Sequence, residues 1–533
     1  KPPYMVPAAT MQIDKIPLNV NGKVDKRRLP EIKAEFSKKK NSAPRELTFL
    51  EKKISAIIEK IIGHSDFDIS ENLINAGMTS LSVIKLAVEL NKAFGFEAQV
   101  KKMMKGCSVL SIEDELQEFM FSGTANPQTV KKEEKKEHKA LYPLSKTQLG
   151  VYIDCMKNPY STLYNIPSIL TFSKSVDAQK LADCVVKVIK AHPYIMTHLS
   201  LENDDIEQVY VDSAKPNVPV EKLTEEQLEA YKKDFVKPHN LMKAPLFRIS
   251  VAETEKAVYL LSDFHHLIFD GASVALFFEQ LKTLYDGGNI EPESYTYFDY
   301  AENEIKAESS DEFRNAEKFF DNMMKNFESA SEITADLRGH AEDGALASQA
   351  VPVDMARVEN FCSQHGITPA HLFLAGTFYA VSRFVNSRNV YISTISNGRS
   401  DMRLTNCFGM FVKTLALGIE IEDITSLEFV EKSKAVFTDS IENEIYPYAQ
   451  LCAKYGYAPN IMYEYQLGVV DNLEIDGKAV VRDYLEMNTA KFKTAIHIED
   501  YKGEPSVVVQ YNDALYSGEL MRTLAKSVLC AVE

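Results

Sequence analysis

The amino-acid sequence predicts a multidomain chain in which a small all-α helical bundle precedes a larger two-lobed α/β (α+β) unit. Length is the first reason: 533 residues exceed the roughly 250 to 300 that one hydrophobic core serves before chains divide. The second is a change of pattern, from helical periodicity before residue 121 to β-rich runs separated by helices after residue 140. The third is a pair of segments with linker composition, 33–45 (KAEFSKKKNSAPR) and 122–139 (SGTANPQTVKKEEKKEHK), which are polar and charged with few apolar side chains.

Composition removes several classes of function. Apolar residues make up 45% and charged residues 26%, the proportions of a folded, soluble protein. A net charge of −16 repels phosphate backbones and anionic lipid, so neither nucleic acid nor membrane is expected as a partner. The charge is uneven, for residues 1–45 hold eleven Lys or Arg against four Asp or Glu, a basic arm of the kind most often simply solvated. The seven cysteines are scattered and form no Cys-x-x-Cys pair, which predicts free thiols in the cytoplasm and no structural metal. No apolar run reaches the roughly 18 to 20 residues of a membrane span. The chain opens without signal-peptide order or an initiator Met, which predicts an excised cytoplasmic fragment.

The elements follow in order. Alternation around Met11, Ile13 and Ile16 before Asn21-Gly22 predicts a hairpin, because a type I′ turn needs positive φ at both central positions. Leu50, Ile54, Ile57, Ile58, Ile61 and Ile62 recur at steps of three and four before Gly63 and predict a helix. A second helix is predicted over Ser80–Phe94, closed by Gly95, and a third over Ser111–Phe121. Beyond residue 140 the sequence predicts strands such as Val258–Phe264, Val390–Ile395, Thr414–Ile419 and Ser506–Tyr511. Helices are predicted over Ala178–Ala191, Ala272–Tyr285, Asp311–Phe327 and Pro369–Phe384. Nearly four hundred residues of mixed structure predict two lobes, 140–300 and 301–533.

Two stretches can carry chemistry. The stronger is His265-His266-Leu267-Ile268-Phe269-Asp270-Gly271, where an apolar strand meets an apolar helix. Four fixed positions recur by chance in a chain of this length on the order of once in a few hundred. A residue at a strand end is presented at the rim of a sheet, an Asp a turn later fixes the backbone, and Gly permits close approach. Two satisfied core histidines beside a turn Asp is the bland alternative. The weaker stretch, 72–81 (NLINAGMTSL), places Ser80 at a helix start, where backbone N–H groups and the helix dipole favour a phosphate. An ordinary helix cap is the commoner use of such a residue.

The His-His-x-x-x-Asp-Gly string, in a chain of this architecture, resembles the condensation domains of non-ribosomal peptide synthetases, relatives of the chloramphenicol acetyltransferase fold. Leu144-Ser145 with Gln148, Met242–Arg248, Tyr297–Ala301, Gly398-Arg399 with Gly409–Val412, and Tyr446-Pro447-Tyr448 are similar to further motifs of that family. Residues 76–81 (AGMTSL) look like a peptidyl carrier protein, with Ala76 in place of a Gly. Pro3–Pro7 and Pro17–Lys26 are similar to the last two motifs of adenylation domains. The resemblance implies a division into an adenylation remnant (1–32), linker (33–45), carrier (46–121), linker (122–139) and condensation domain (140–533).

The resemblance also implies a chemistry. Ser80 would carry a covalent 4′-phosphopantetheine, installed by a phosphopantetheinyl transferase and loaded by an upstream adenylation domain. The acyl thioester on it would be attacked by the amine of a downstream acceptor carrier or a free amine, forming an amide, as in antibiotic assembly. His266 would handle the amine, His265 would pack or orient, Asp270 would hold the loop through a buried partner, and Gly271 would let substrate approach the helix start. Lys23, matching a lysine that contacts the acyl-adenylate, cannot act in a chain lacking that domain. The alternatives are an epimerising or chain-releasing variant of the same fold and a non-catalytic docking platform.

Some positions depart from the family pattern. Lys190-Ala191-His192 stands where the family has Arg-His-Glu, and Met196 replaces the arginine that pairs with the Asp of the active string. Asp270 must therefore find another partner, an arginine such as Arg399, or the loop differs. Lys413 stands where Asn is usual, and Asn460 alone remains of a later motif.

Overall fold

The structure is a computed structural model. It describes residues 47–121 and 139–533, apart from 66, 74–75, 77, 79, 95–97, 99, 203–204, 212–215, 341–343, 468–473, 484–491 and 502. The hairpin expected around Asn21-Gly22, Lys23, and nearly all of both expected linkers lie outside the described residues.

Among its described residues the first unit contains four helices, α1 (Phe49–Ile62), α2 (Ser80–Phe94), α3 (Val100–Lys105) and α4 (Val109–Phe121). Thr48 caps α1 in a reciprocal box with Glu51, and its hydroxyl donates to Glu113 of α4 at 2.6 Å. Gly63 closes α1 at φ 82°. Ile54, Ile58, Val83, Leu86, Leu90 and Leu116 form one buried cluster. Helix α3 was not legible in the sequence, since six residues are too short to show a helical period.

The larger unit begins with β1 (Leu141–Pro143), α5 (Lys146–Lys157), β2 (Asn165–Ser173), α6 (Ala178–Ala191), β3 (His198–Glu202), β4 (Asp205–Val209) and β5 (Val220–Lys222). It continues through α7 (Glu225–Phe235), β6 (Phe247–Glu253), β7 (Ala257–His265), α8 (Gly271–Tyr285) and α9 (Tyr297–Ala307). The second lobe comprises α10 (Asp311–Met324), β8 (Leu346–Pro352), α11 (Met355–His365), α12 (Pro369–Phe384), β9 (Asn389–Ser396), β10 (Lys413–Glu420), α13 (Ser426–Glu442), α14 (Tyr448–Tyr455) and β11 (Ile461–Tyr465). Strands β12 (Glu474–Ile475), β13 (Lys478–Ala479), β14 (Val481–Asp483), β15 (Thr494–Tyr501) and β16 (Glu504–Asn512) follow, with α15 (Gly518–Val532) last. The expected helix 311–327 ends at Met324.

Each lobe is built on one main sheet, and β1, β4 and β3 form a separate three-stranded sheet in the first lobe. The main sheet of the first lobe has strand order β14-β2-β7-β6-β5 and that of the second β10-β9-β11-β15-β16-β8. Every residue of β7 is buried, because α6 and α8 lie on one face of its sheet and α7 on the other. A central strand covered on both faces reads as a continuous apolar run rather than an alternation. In the second lobe α12 and α15 pack their apolar faces on β9, β11, β15 and β16.

Two segments from beyond residue 300 join the first lobe. Strand β14 pairs with β2, and Leu404, Cys407, Phe408, Met410 and Phe411 enter the first lobe's core, where Phe408 stacks on His192 at 3.9 Å. The strap 398–411 leaves the second lobe at Gly398, whose φ is 63° and where a Cβ would stand 1.8 Å from the carbonyl oxygen of Phe411.

Candidate active site

The His265–Gly271 loop begins where β7 ends and finishes at the first residue of α8. From Phe264 to Asp270 only His266 keeps solvent exposure. Its backbone N–H donates to the carbonyl of Tyr164 at 2.7 Å, and its ring meets the Tyr164 ring edge-on at 6.5 Å. The Tyr164 hydroxyl donates to Asp154 of α5 at 2.9 Å.

His265 sits inside the sheet. Its Nδ1 accepts from the Leu267 N–H at 3.1 Å, so the neutral ring carries its hydrogen on Nε2, 3.9 Å from the Cys155 sulfur. Burial above all, then His239, His266 and Arg248, push the His265 pKa down to about 3. Burial pushes the Cys155 thiol up to about 11. Behind His265, the buried Asp263 accepts from Arg248 at 2.9 Å and Asn165 at 2.8 Å. This pair of rings is thus one locked neutral histidine and one presented histidine.

Asp270 is the N-cap of α8, accepting from Ser273 N–H at 2.7 Å. The same carboxylate accepts from Arg399 Nη2 at 3.1 Å and from the backbone N–H groups of Phe411 and Val412 at 2.9 and 3.2 Å. Arg399 also donates to the carbonyls of Leu404 and Cys407 and to the Ser273 hydroxyl, and lies 4.4 Å over the Phe411 ring. With four donors already converging on it, the carboxylate has no capacity left to orient His266. Arg399 supplies the charge that Met196 does not, and Met196 is buried in the first lobe's core.

Gln148, Tyr297 and Ser273, given no individual role from the sequence, are also brought to the loop. Gln148 Nε2 donates to the Leu267 carbonyl at 3.0 Å, and its own backbone N–H completes a capping box with Ser145. Tyr297 donates to the Met410 carbonyl at 2.9 Å and contacts the Ser145 hydroxyl at 2.8 Å. Ser273 had one legible signal, its place three residues after Asp270, which is the spacing of a capped helix start. Lys413 opens β10 with its Nζ donating to the Glu444 carbonyl at 3.2 Å. Gly271, the first residue of α8, is exposed, and a Cβ there would meet nothing within 4 Å.

Ser80 is the first residue of α2, a 15-residue helix with no acidic side chain in its first turn. Unpaired N–H groups and the helix dipole at such an end suit a phosphodiester, so the backbone there fits an attached 4′-phosphopantetheine.

A two-lobed α/β domain whose His265–Gly271 loop is pinned by a strap from the second lobe, set behind a small helical unit that can hold a phosphodiester, marks a carrier joined to an acyl-transfer domain. The condensation-domain family model matches residues 138–533, and the phosphopantetheine attachment site model matches residues 52–114. The chain belongs to the condensation-domain family, as a carrier-condensation didomain of the non-ribosomal peptide synthetase type whose carrier takes a covalent 4′-phosphopantetheine.

It is similar to bacitracin synthase 3 of Bacillus licheniformis, 25% identical over 98% of this chain and 8% of that protein. Tyrocidine synthase 3 of Brevibacillus parabrevis is 26% identical over 85% of this chain and 7% of that protein. The chain thus spans a small fraction of these relatives' length. Among solved structures, the condensation domain from monacolin K polyketide synthase MokA superposes with a TM-score of 0.65 at 16% identity, covering 74% of this chain and 97% of that one. The X-domain from teicoplanin biosynthesis, solved in complex with OxyB, gives 0.63 at 15% identity over 74% and 93%. These likenesses show the fold.

Proposed function

We propose that this didomain forms an amide bond by aminolysis of an acyl thioester, with the donor attached at Ser80 and His266 handling the incoming amine. The observation that carries the reading is the division of labour in the loop: of its titratable side chains, His266 alone reaches solvent, while His265 and Asp270 are consumed by buried contacts.

Once attached, the pantetheine group supplies a thiol that presents the acyl group as an already activated thioester. Bringing two tethered reactants together accounts for roughly 7 to 11 kcal/mol of the barrier. The remaining need is a group that accepts a hydrogen bond or a proton from the attacking amine, for which a positioned imidazole gives on the order of 10² to 10⁴-fold. His265, driven to its neutral form, places no positive charge next to that imidazole. This reading seats the oxyanion against backbone N–H groups at the start of α8, where the surroundings of Gly271 are open.

Epimerisation would need a second acid or base to return a proton to the opposite face of a stereocentre, and among the described residues of the loop none besides His266 is presented. The partners of this reading are an upstream adenylation domain, a phosphopantetheinyl transferase and a downstream acceptor carrier or soluble amine. A cytoplasmic setting agrees with seven free cysteines, and no described helix is long and apolar enough to cross a membrane.

The test is to load the protein with a defined aminoacyl donor and add an amine acceptor, with wild type and His266→Ala side by side. Amide product that falls 10² to 10⁴-fold in the variant, with unchanged melting and unchanged pantetheinylation, supports the reading. An inverted stereocentre or no product from the wild type overturns it.

A further inference from the structure

The strap that clamps Asp270 also carries a half-buried methionine that nothing in the loop chemistry uses. Asp401 accepts from the Arg403 backbone N–H at 2.9 Å and opens a short 3-10 turn, Met402–Asn406. Leu404 and Cys407, on the same strap, are buried in the first lobe's core and held through their carbonyls by Arg399 at 2.6 and 2.8 Å. Met402 is thereby presented outward from a rigid support. Its side chain packs against the apolar cluster of the carrier unit, and the carrier element nearest the turn is α2, the helix that begins with Ser80.

We propose that Met402 is the docking point on the large unit for this chain's own carrier. The inference rests on the amide-forming reading and deepens it, by making the attached carrier the one whose donor is used. An unbranched thioether suits the task, because it adapts to an irregular apolar surface and lets go of it. The tether's length permits it: 17 residues, 122–138, separate the described parts, and a flexible chain of that length has an r.m.s. reach of roughly 20 to 25 Å. Anchoring by Arg399 places the docking point on the segment that also positions the His265–Gly271 loop, so a carrier seated there is held in fixed relation to His266.

The experiment compares the full chain with Met402→Glu and Met402→Leu. Small-angle X-ray scattering reads docking without turnover: a larger radius of gyration in Met402→Glu, with Met402→Leu matching wild type, is expected. Condensation rates are then measured with the donor on Ser80 and with a soluble acyl thioester. The ratio of carrier-bound to soluble-donor rate is expected to fall tenfold or more in Met402→Glu and to recover in Met402→Leu. Identical scattering of all three proteins, or a ratio that does not move, overturns the docking point. Because scattering needs no product, its result stands even where the amide-forming reading fails.

Discussion

Arg399 of the strap reaches Asp270 of the loop at 3.1 Å, and both side chains are almost wholly buried. The pair joins residues 129 positions apart and fastens one lobe to the other beside the presented histidine. Removing one partner of a buried ion pair leaves an uncompensated charge, a loss of about 3 to 5 kcal/mol. Arg399→Ala is therefore expected to lower the unfolding free energy of the large unit, read from its urea transition, by that order. Arg399→Lys should recover little, since a lysine cannot also satisfy the Leu404 and Cys407 carbonyls and Ser273. Asp270→Asn combined with Arg399→Ala should destabilise by less than the two single changes added together. Strict additivity would mean that the contact carries no coupling.

Gly271→Ala separates folding from chemistry. The position is the first residue of α8, its surroundings are open, and its φ is not positive. Alanine there is expected to hold or raise stability by up to about 1 kcal/mol. If substrate approaches the helix start, the added methyl slows condensation about tenfold or more. A variant with full activity would move the oxyanion site elsewhere.

His265 gives the large unit an acid sensitivity. An unfolded histidine holds a proton below about pH 6.5, whereas folded His265 holds one only below about 3. Between those values the unfolded chain binds more protons, so the stability present above pH 6.5 drains as pH falls. The loss is about 2 kcal/mol between pH 6.5 and 5. His371, held down at about 4 by burial and Lys434, works in the same direction. His265→Asn should flatten the dependence by the His265 share, read as the difference in urea midpoint between pH 7 and pH 5 against wild type. Equal slopes in the two proteins would contradict the assignment.

Intact mass settles the attachment residue. Incubation with coenzyme A and a pantetheinyl transferase is expected to add one phosphopantetheine to wild type and none to Ser80→Ala. Gain of mass in the variant would place the group on another hydroxyl.

Much of the fold was legible because it rests on local rules. Ala178–Ala191 and Pro369–Phe384 are helices with the predicted bounds, since each shows a full apolar stripe and starts at a side-chain cap. Strand β7 was legible from a run of apolar residues ended by histidines. The division of roles between His265 and His266 was not, because adjacent residues of a strand end point opposite ways and only the packed sheet decides which side is interior. Nor did spacing reveal that Gln148 holds the Leu267 carbonyl, 119 positions away.

The order of units, most of their helices and strands, and the short string in which the chemistry is concentrated all follow from the amino-acid order alone. These depend on periodicity, capping and turn residues within a few positions of one another. Packing of the assembled lobes settled the rest: which imidazole is presented and which is locked, that Arg399 answers for the arginine missing at position 196, and that the strap 398–411 belongs to the core of the other lobe. Burial and long-range hydrogen bonding are properties of the assembled core, and no local pattern encodes which distant side chain will arrive to complete a carboxylate's contacts.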